Sequence, residues 1–134
     1  MRNILFIAMT VPALLYGDIV FVVAKTSAVQ PLSKKQLKEI YLKKQQYAND
    51  IRLIPINMPA STHVRNVFDR SVLKMDESEI AEYWNERHYN GINPPMVQNS
   101  PEAVKAMVKK VPGAIGYIDT DLLDDGLKVI ATFK

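Results

Sequence analysis

Six apolar residues, Ile19-Val-Phe-Val-Val-Ala24, follow one another without a polar interruption. Strict alternation would mark a strand wetted on one face. A continuous, mostly β-branched run instead marks a strand covered on both faces, as in a mainly parallel sheet with helices above and below. This run therefore demands two layers of cover. The rest of the chain offers them, because strand-like and helix-like stretches mostly alternate. With 134 residues, 48% of them hydrophobic, the expectation is one globular domain. The pattern predicts an α/β sandwich whose sheet is largely parallel.

The helices announce themselves by their caps. Ser33 and Gln36 form a capping box ahead of Leu37, Ile40 and Tyr41, with Lys34, Lys35, Lys38 and Lys43 facing elsewhere. Asp76 and Glu79 form a second box ahead of Ile80, Tyr83 and Trp84, and Trp84 is expected in the core. Ser100-Pro-Glu102 opens a helix whose inner stripe is Ala103, Val104, Met107, Val108 and Val111, and Pro112-Gly113 ends it. Strands are expected at Arg52–Ile56, Met96–Val97, Ala114–Ile118 and Leu127–Phe133. The segment from Lys43 to Asp50 reads as a loop. Pro55 has no N–H to give, so its nitrogen should face no ladder partner.

Between Arg52 and Phe68 the strand runs into the turn Asn57-Met-Pro-Ala60 and then into a helix opened by Ser61-Thr-His-Val-Arg65. The first amides of a helix lack internal partners and carry partial positive charge, so such a junction suits an anion. Ser61, Thr62, His63 and Arg65 are the candidate ligands for an oxyanion. Ser and Thr are also ordinary helix caps. Arg65 and Asp69, four residues apart, can pair on the helix surface instead.

Other chemistries find little footing. Without cysteine there is no disulfide, thiolate metal site or thiol nucleophile. His63 and His88 lie far apart, so no metal ligand set is assigned. Asp119, Asp121, Asp124 and Asp125 lack the pattern of a calcium loop and read as a solvated acidic turn. No nucleophile–base pair stands out, so no catalytic residue, cofactor or enzyme activity is expected. A net charge of +3, evenly spread, gives no footprint for nucleic acid. Arg2, the apolar run from Ile4 to Leu15 and the small residue Gly17 read as a signal peptide over residues 1–17. The expected location is then periplasmic or secreted, with one domain over residues 18–134 and a charge of +2 once Arg2 is removed.

Several motifs resemble the substrate-binding proteins of phosphate ABC transporters. Leu32-Ser-Lys-Lys-Gln-Leu-Lys-Glu-Ile-Tyr-Leu42 is similar to their L-t-x-x-q-L-x-x-I-F/Y helix. Ile54-Pro-Ile-Asn-Met-Pro-Ala-Ser61, followed by Phe68, is similar to their strand, anion loop and helix. Tyr83-Trp84 matches a tryptophan that follows. Val111-Pro-Gly-Ala-Ile-Gly-Tyr117 resembles their l-P-G-A-I-G-Y strand, the most specific of the matches. Order and spacing agree from Ile19 to about Ile130.

The resemblance implies a single lobe of the periplasmic-binding-protein fold, a three-layer α/β sandwich with a mixed, mainly parallel sheet. It implies inorganic phosphate or a similar oxyanion as ligand, and an ABC permease as partner. The family clamps its anion between two lobes, of which this sequence matches the second. Its Ser-Gly-Thr turn and preceding arginine are replaced here by Met58-Pro-Ala-Ser-Thr-His63, without the glycine, and by Ile56 and Asn57 upstream. A second expectation follows from those departures. The chain would keep the fold but serve as a partner-binding or sensory module, meeting a sensor protein or a second copy in a homo-oligomer.

Overall fold

The computed structural model describes residues 18–133, so the expected signal peptide lies outside the described residues. Thirteen short elements build one five-stranded mixed sheet with helices on both faces, and a separate two-stranded hairpin. In chain order they begin with strand β1 (Ile19–Ala24), helix α1 (Lys34–Tyr41), the hairpin β2 (Tyr47–Ala48) and β3 (Ile51–Arg52), and strand β4 (Ile54–Asn57). Helix α2 (His63–Phe68) continues directly into a π-helical turn (Asp69–Leu73), and helix α3 (Glu77–His88) follows. Strand β5 (Met96–Val97), helix α4 (Pro101–Lys110), strand β6 (Ala114–Asp119), a 3-10 turn (Thr120–Leu122) and strand β7 (Leu127–Phe133) complete the chain.

The sheet order is β5-β4-β6-β1-β7. β4 pairs in parallel with β5 and β6, whereas β1 is antiparallel to both β6 and β7. Four strands therefore point one way and β1 alone runs against them. The Ile19–Val23 stretch is buried throughout, as its composition requires. Its direction is the reverse of its neighbours', because burial on two faces selects the residues and is indifferent to strand polarity.

Successive residues of β6 show the two covers. Gly116 faces α4, where a Cβ would lie 2.5 Å from Val104 Cγ1. Tyr117 faces the other layer and joins Phe21, Tyr41 and Phe68 in a fully buried aromatic cluster. Phe68 and Tyr117 stack at 4.5 Å, and Phe21 and Tyr41 meet edge to face at 5.7 Å. Offset stacked and edge-to-face contacts suit the ring quadrupoles.

Both capping boxes form at Ser33–Gln36 and Asp76–Glu79, and Ser100 with Pro101 opens α4. Pro55 sits as its chemistry requires. The N–H of Ile54 donates to Gly113 O on the β6 side, so the Pro55 nitrogen faces the β5 side. There β5 pairs only from Ile56 onward.

Four details depart from the sequence reading. The expected Arg52–Ile56 strand breaks at Leu53, with Arg52 in the β2–β3 hairpin and Asn57 as the last residue of β4 rather than the start of the turn. The segment before Arg52 is a hairpin rather than a loop: Asn49 and Asp50 both take positive φ, 52° and 65°, the geometry of a primed two-residue turn. The helix after the central turn switches to π geometry at Asp69. The wider turn buries Val72 and Leu73 side by side and closes on Lys74, which is left-handed, with its N–H on Asp69 O. Trp84 is half-buried beside Tyr83 rather than central, because α3 lies at the periphery and fully buries only Ile80.

Gly113 is fixed by two constraints at once. Its φ is +86°, and an added Cβ would lie 2.1 Å from Arg52 O. Gly113→Ala is expected to lower stability by about 3 kcal/mol, combining backbone strain with displacement of the β3–β4 junction. Urea denaturation checks this; a loss below about 1 kcal/mol would show that the junction yields freely.

Candidate functional site

The carboxyl ends of β4, β5 and β6 lie at one edge of the sheet, and open α/β sheets bind their ligands outside such edges. β4 is central in that parallel trio, and the segment leaving it is Met58–Thr62. Asn57, the last residue of β4, is the buried polar residue of the core. Its Oδ1 accepts hydrogen bonds from the Tyr117 hydroxyl and from the N–H of Met58, the latter at 3.1 Å. Its backbone carbonyl accepts from Gln98 N–H at 3.0 Å. Burial pushes the Tyr117 hydroxyl well above the usual phenol range, so it stays protonated and donates. The loop is thus anchored at its first residue to two strands.

Tyr41 completes the anchor from α1. Its hydroxyl lies 3.0 Å from Ile56 O and 3.1 Å from Ile115 O and shares one proton between them. Burial also raises the Tyr41 pKa, with Tyr117 adding to the effect, which keeps this donor neutral as well.

Beyond the anchor the loop rises to the surface. Ser61 and His63 are exposed, and Thr62 is half-buried. Thr62 is the cap of α2: its Oγ1 accepts from Arg65 N–H at 3.3 Å and donates to Pro59 O at 2.8 Å. The N–H groups of His63 and Val64 find no hydrogen-bond partner among the described residues. Ser61, Thr62 and His63 are therefore gathered at one helix start, with two backbone donors beside them.

Arg65 lies differently from a free ligand. Its Nε meets Asp69 Oδ1 at 3.1 Å, and Nη1 donates to Met58 O at 2.8 Å. The side chain is only 13% exposed. The arginine braces the turn from beneath, and its charge is already matched. Burial raises the Asp69 pKa despite the opposing pull of Arg65, so desolvation is the larger influence on that carboxyl.

Sequence reasoning missed the Asn57–Tyr117 anchor. The one available signal was a polar residue ending an otherwise apolar strand. The acidic turn near the C-terminus, read from the sequence as solvated, is held at Asp124 by two lysines. Lys109 Nζ and Lys105 Nζ lie 2.9 and 3.1 Å from Asp124 Oδ2, and Gly126 N–H donates to Asp124 Oδ1. Among the described residues no group of three or more His, Asp or Glu converges in a way that could hold a metal, and no helix is long and apolar enough to cross a membrane.

No protein-family model and no curated protein matches this sequence. Solved structures do match the fold. A phosphate ABC transporter substrate-binding protein with bound phosphate from Clostridium perfringens is 19% identical, with a TM-score of 0.69 over 85% of this chain and 44% of that one. An ABC-type phosphate transport receptor from Vibrio cholerae is 22% identical, with a TM-score of 0.69 over 85% and 45% of the two chains. PstS from Borrelia burgdorferi is 15% identical, with a TM-score of 0.65 over 86% and 47%. The chain spans less than half the length of each. Its fold, an α/β sandwich, is shared with part of each of these receptors.

Two consequences are measurable. Asn57→Leu takes the acceptor from the Tyr117 hydroxyl and leaves the Met58 N–H only its 3.4 Å contact to that hydroxyl, and should cost about 2–4 kcal/mol. Adding Tyr117→Phe removes the unpaired hydroxyl, so the double variant should lose less than the sum of the two single losses, whereas simple additivity would dismiss the anchor. At the acidic turn, the hydrogen bonds from Lys109, from Gly126 N–H and from Lys105 hold the Asp124 carboxyl well below the usual carboxylate range. A depressed folded-state pKa stabilises above the unfolded carboxylate pKa, and that contribution is lost as pH falls from there through the folded-state value. Denaturation curves at descending pH should therefore show wild type converging on Asp124→Asn in acid; a constant gap would refute the linkage.

Proposed function

We propose that this chain is a solute-binding-type domain that takes inorganic phosphate or a similar oxyanion at the turn between β4 and α2. The single observation behind this reading is the fold likeness to phosphate-binding receptors over 85% of the chain. The local chemistry agrees with it. Ser61 offers a hydroxyl and His63 a backbone N–H and a side chain at the exposed turn, with the N–H of buried Val64 beside them, whereas the Thr62 hydroxyl is spent on Pro59 O and the helix cap. Arg65 contributes from below, as a brace whose charge Asp69 tempers. The proposed role is transport-type solute capture without catalysis, with an ABC permease as partner. The expected location is the periplasm or the outside of the cell.

Ser61 and His63 are exposed, so the turn is an open surface. Less of the anion's charge is then desolvated and paired than in an enclosed site, and the expected affinity is weak. Isothermal titration with phosphate and with sulfate tests the reading. Heat of binding in the millimolar range is expected, with a loss of about tenfold or more in Ser61→Glu, which sets a like charge on the exposed turn. Absence of any heat, or an unchanged Ser61→Glu, would contradict it.

A further inference from the structure

Arg65 is the cation nearest in sequence to the proposed anion turn, and two of its three guanidinium nitrogens are spent inside the protein. One of the two acceptors is a carboxylate. A carboxylate edge and an oxyanion edge ask for the same planar donors in the same geometry. We propose that Asp69 acts as a built-in competitor, an internal stand-in for the anion that holds Arg65 back and sets the affinity of the turn. This rests on the reading of the β4–α2 turn as an oxyanion site and deepens it.

Three observations carry the inference. First, the pair is a marginal one. Asp69 is 19% exposed at its side chain, and burial works against its charge more than Arg65 supports it. Second, Asp69 opens the π-helical turn, and its backbone carbonyl accepts from both Lys74 and Met75 N–H. The backbone at Asp69 is therefore fixed independently of the carboxylate, and a neutral side chain there leaves the turn in place. Single π turns inside helices are frequent at functional sites. Third, the pair is not sealed in. Arg65 and Asp69 line a cleft of about 400 Å³ between α2 and α3, together with Ala60, Arg70, Met75 and Ile80. Asp76 and Glu77 also line this cleft, and Ala60 belongs to the loop that carries Ser61.

Asp69 is thus a positioning residue: it touches Arg65 and acts on the ligand through it. With Asp69 charged, an arriving anion meets hydroxyls and amides while the guanidinium stays paired. In Asp69→Asn the Nε donor faces a neutral amide oxygen, a weaker acceptor that a charged anion displaces, and the net charge beneath the turn rises by one. The Met58 carbonyl keeps Nη1 near the loop in both states.

Isothermal titration of the full chain with inorganic phosphate and with sulfate, comparing wild type with Asp69→Asn, tests this. The expected result is about tenfold tighter binding of both anions by Asp69→Asn, the worth of one charge-assisted hydrogen bond. The double variant Arg65→Gln/Asp69→Asn should lose that gain. Removing a negative charge near the turn can by itself favour an anion, so the double variant decides. Loss of the gain there assigns it to the guanidinium, and a gain that persists without the guanidinium overturns the competitor role. Binding by Asp69→Asn with none by wild type would also support the inference. If wild type binds and Asp69→Asn binds equally or more weakly, the competitor role is overturned while the oxyanion site stands. If neither binds either anion, both fall.

Discussion

A single hydroxyl, that of Tyr41, sits where the parallel ladder between β4 and β6 ends. The pairing of these strands covers only Ile54–Pro55 against Ala114–Ile115. Just past it, Ile56 O and Ile115 O lie buried, and the Tyr41 proton serves both. Buried carbonyls without a donor are costly, so the strands can part here because α1 delivers one. The ring that delivers it is packed among Phe21, Phe68 and Tyr117, which ties α1, α2, β1 and β6 to the same point. One step further along β4, Asn57 and Tyr117 repeat the arrangement and seize the first amide of the loop. The chain leaves the sheet at a place fixed by two tyrosines.

From that fixed exit follows the character of the turn above it. Met58 is buried and pinned, while Ser61 and His63, three and five residues on, are exposed. Between them Thr62 spends its hydroxyl on the helix cap, and Arg65 reaches back to Met58 O. A turn held from below by side chains and left open above offers pre-set donors, at little further ordering cost on binding. It also offers no enclosure. The chain spans less than half the length of the phosphate receptors whose fold it shares, and an open edge is consistent with that share.

Most of the architecture was legible in the sequence because it rests on local rules. The buried run at Ile19–Ala24, the two capping boxes, the Ser100-Pro101 start and the Pro112-Gly113 stop each have one physical meaning, and each element stands where expected. The misses share a different cause. The reversal of β1 leaves no trace in residue type, since it is decided by which edges of the sheet are open. The Asn49-Asp50 hairpin was hidden by a polar context, although both residues tolerate positive φ. The peripheral place of α3 depends on what the other helices leave uncovered, so Trp84 could not be assigned to the core from its type alone. At the candidate site, sequence brought Ser61, Thr62, His63 and Arg65 to one helix start. It could not decide whether Arg65 would point at a ligand or at Asp69, because both partners lie within one side-chain length. The Asn57–Tyr117 contact joins residues 60 positions apart and belongs to tertiary structure alone.

The account turns on the claim that the β4–α2 turn, held by Asn57 and the two tyrosines, is where this chain meets an anion. Backbone amide chemical shifts recorded by NMR during titration with inorganic phosphate address it residue by residue. Shifts concentrated at Ser61 to Val64, saturating together, are the predicted result. Shifts confined to the far edge of the sheet, around Lys109 to Gly113, or spread evenly over the surface lysines, would contradict it.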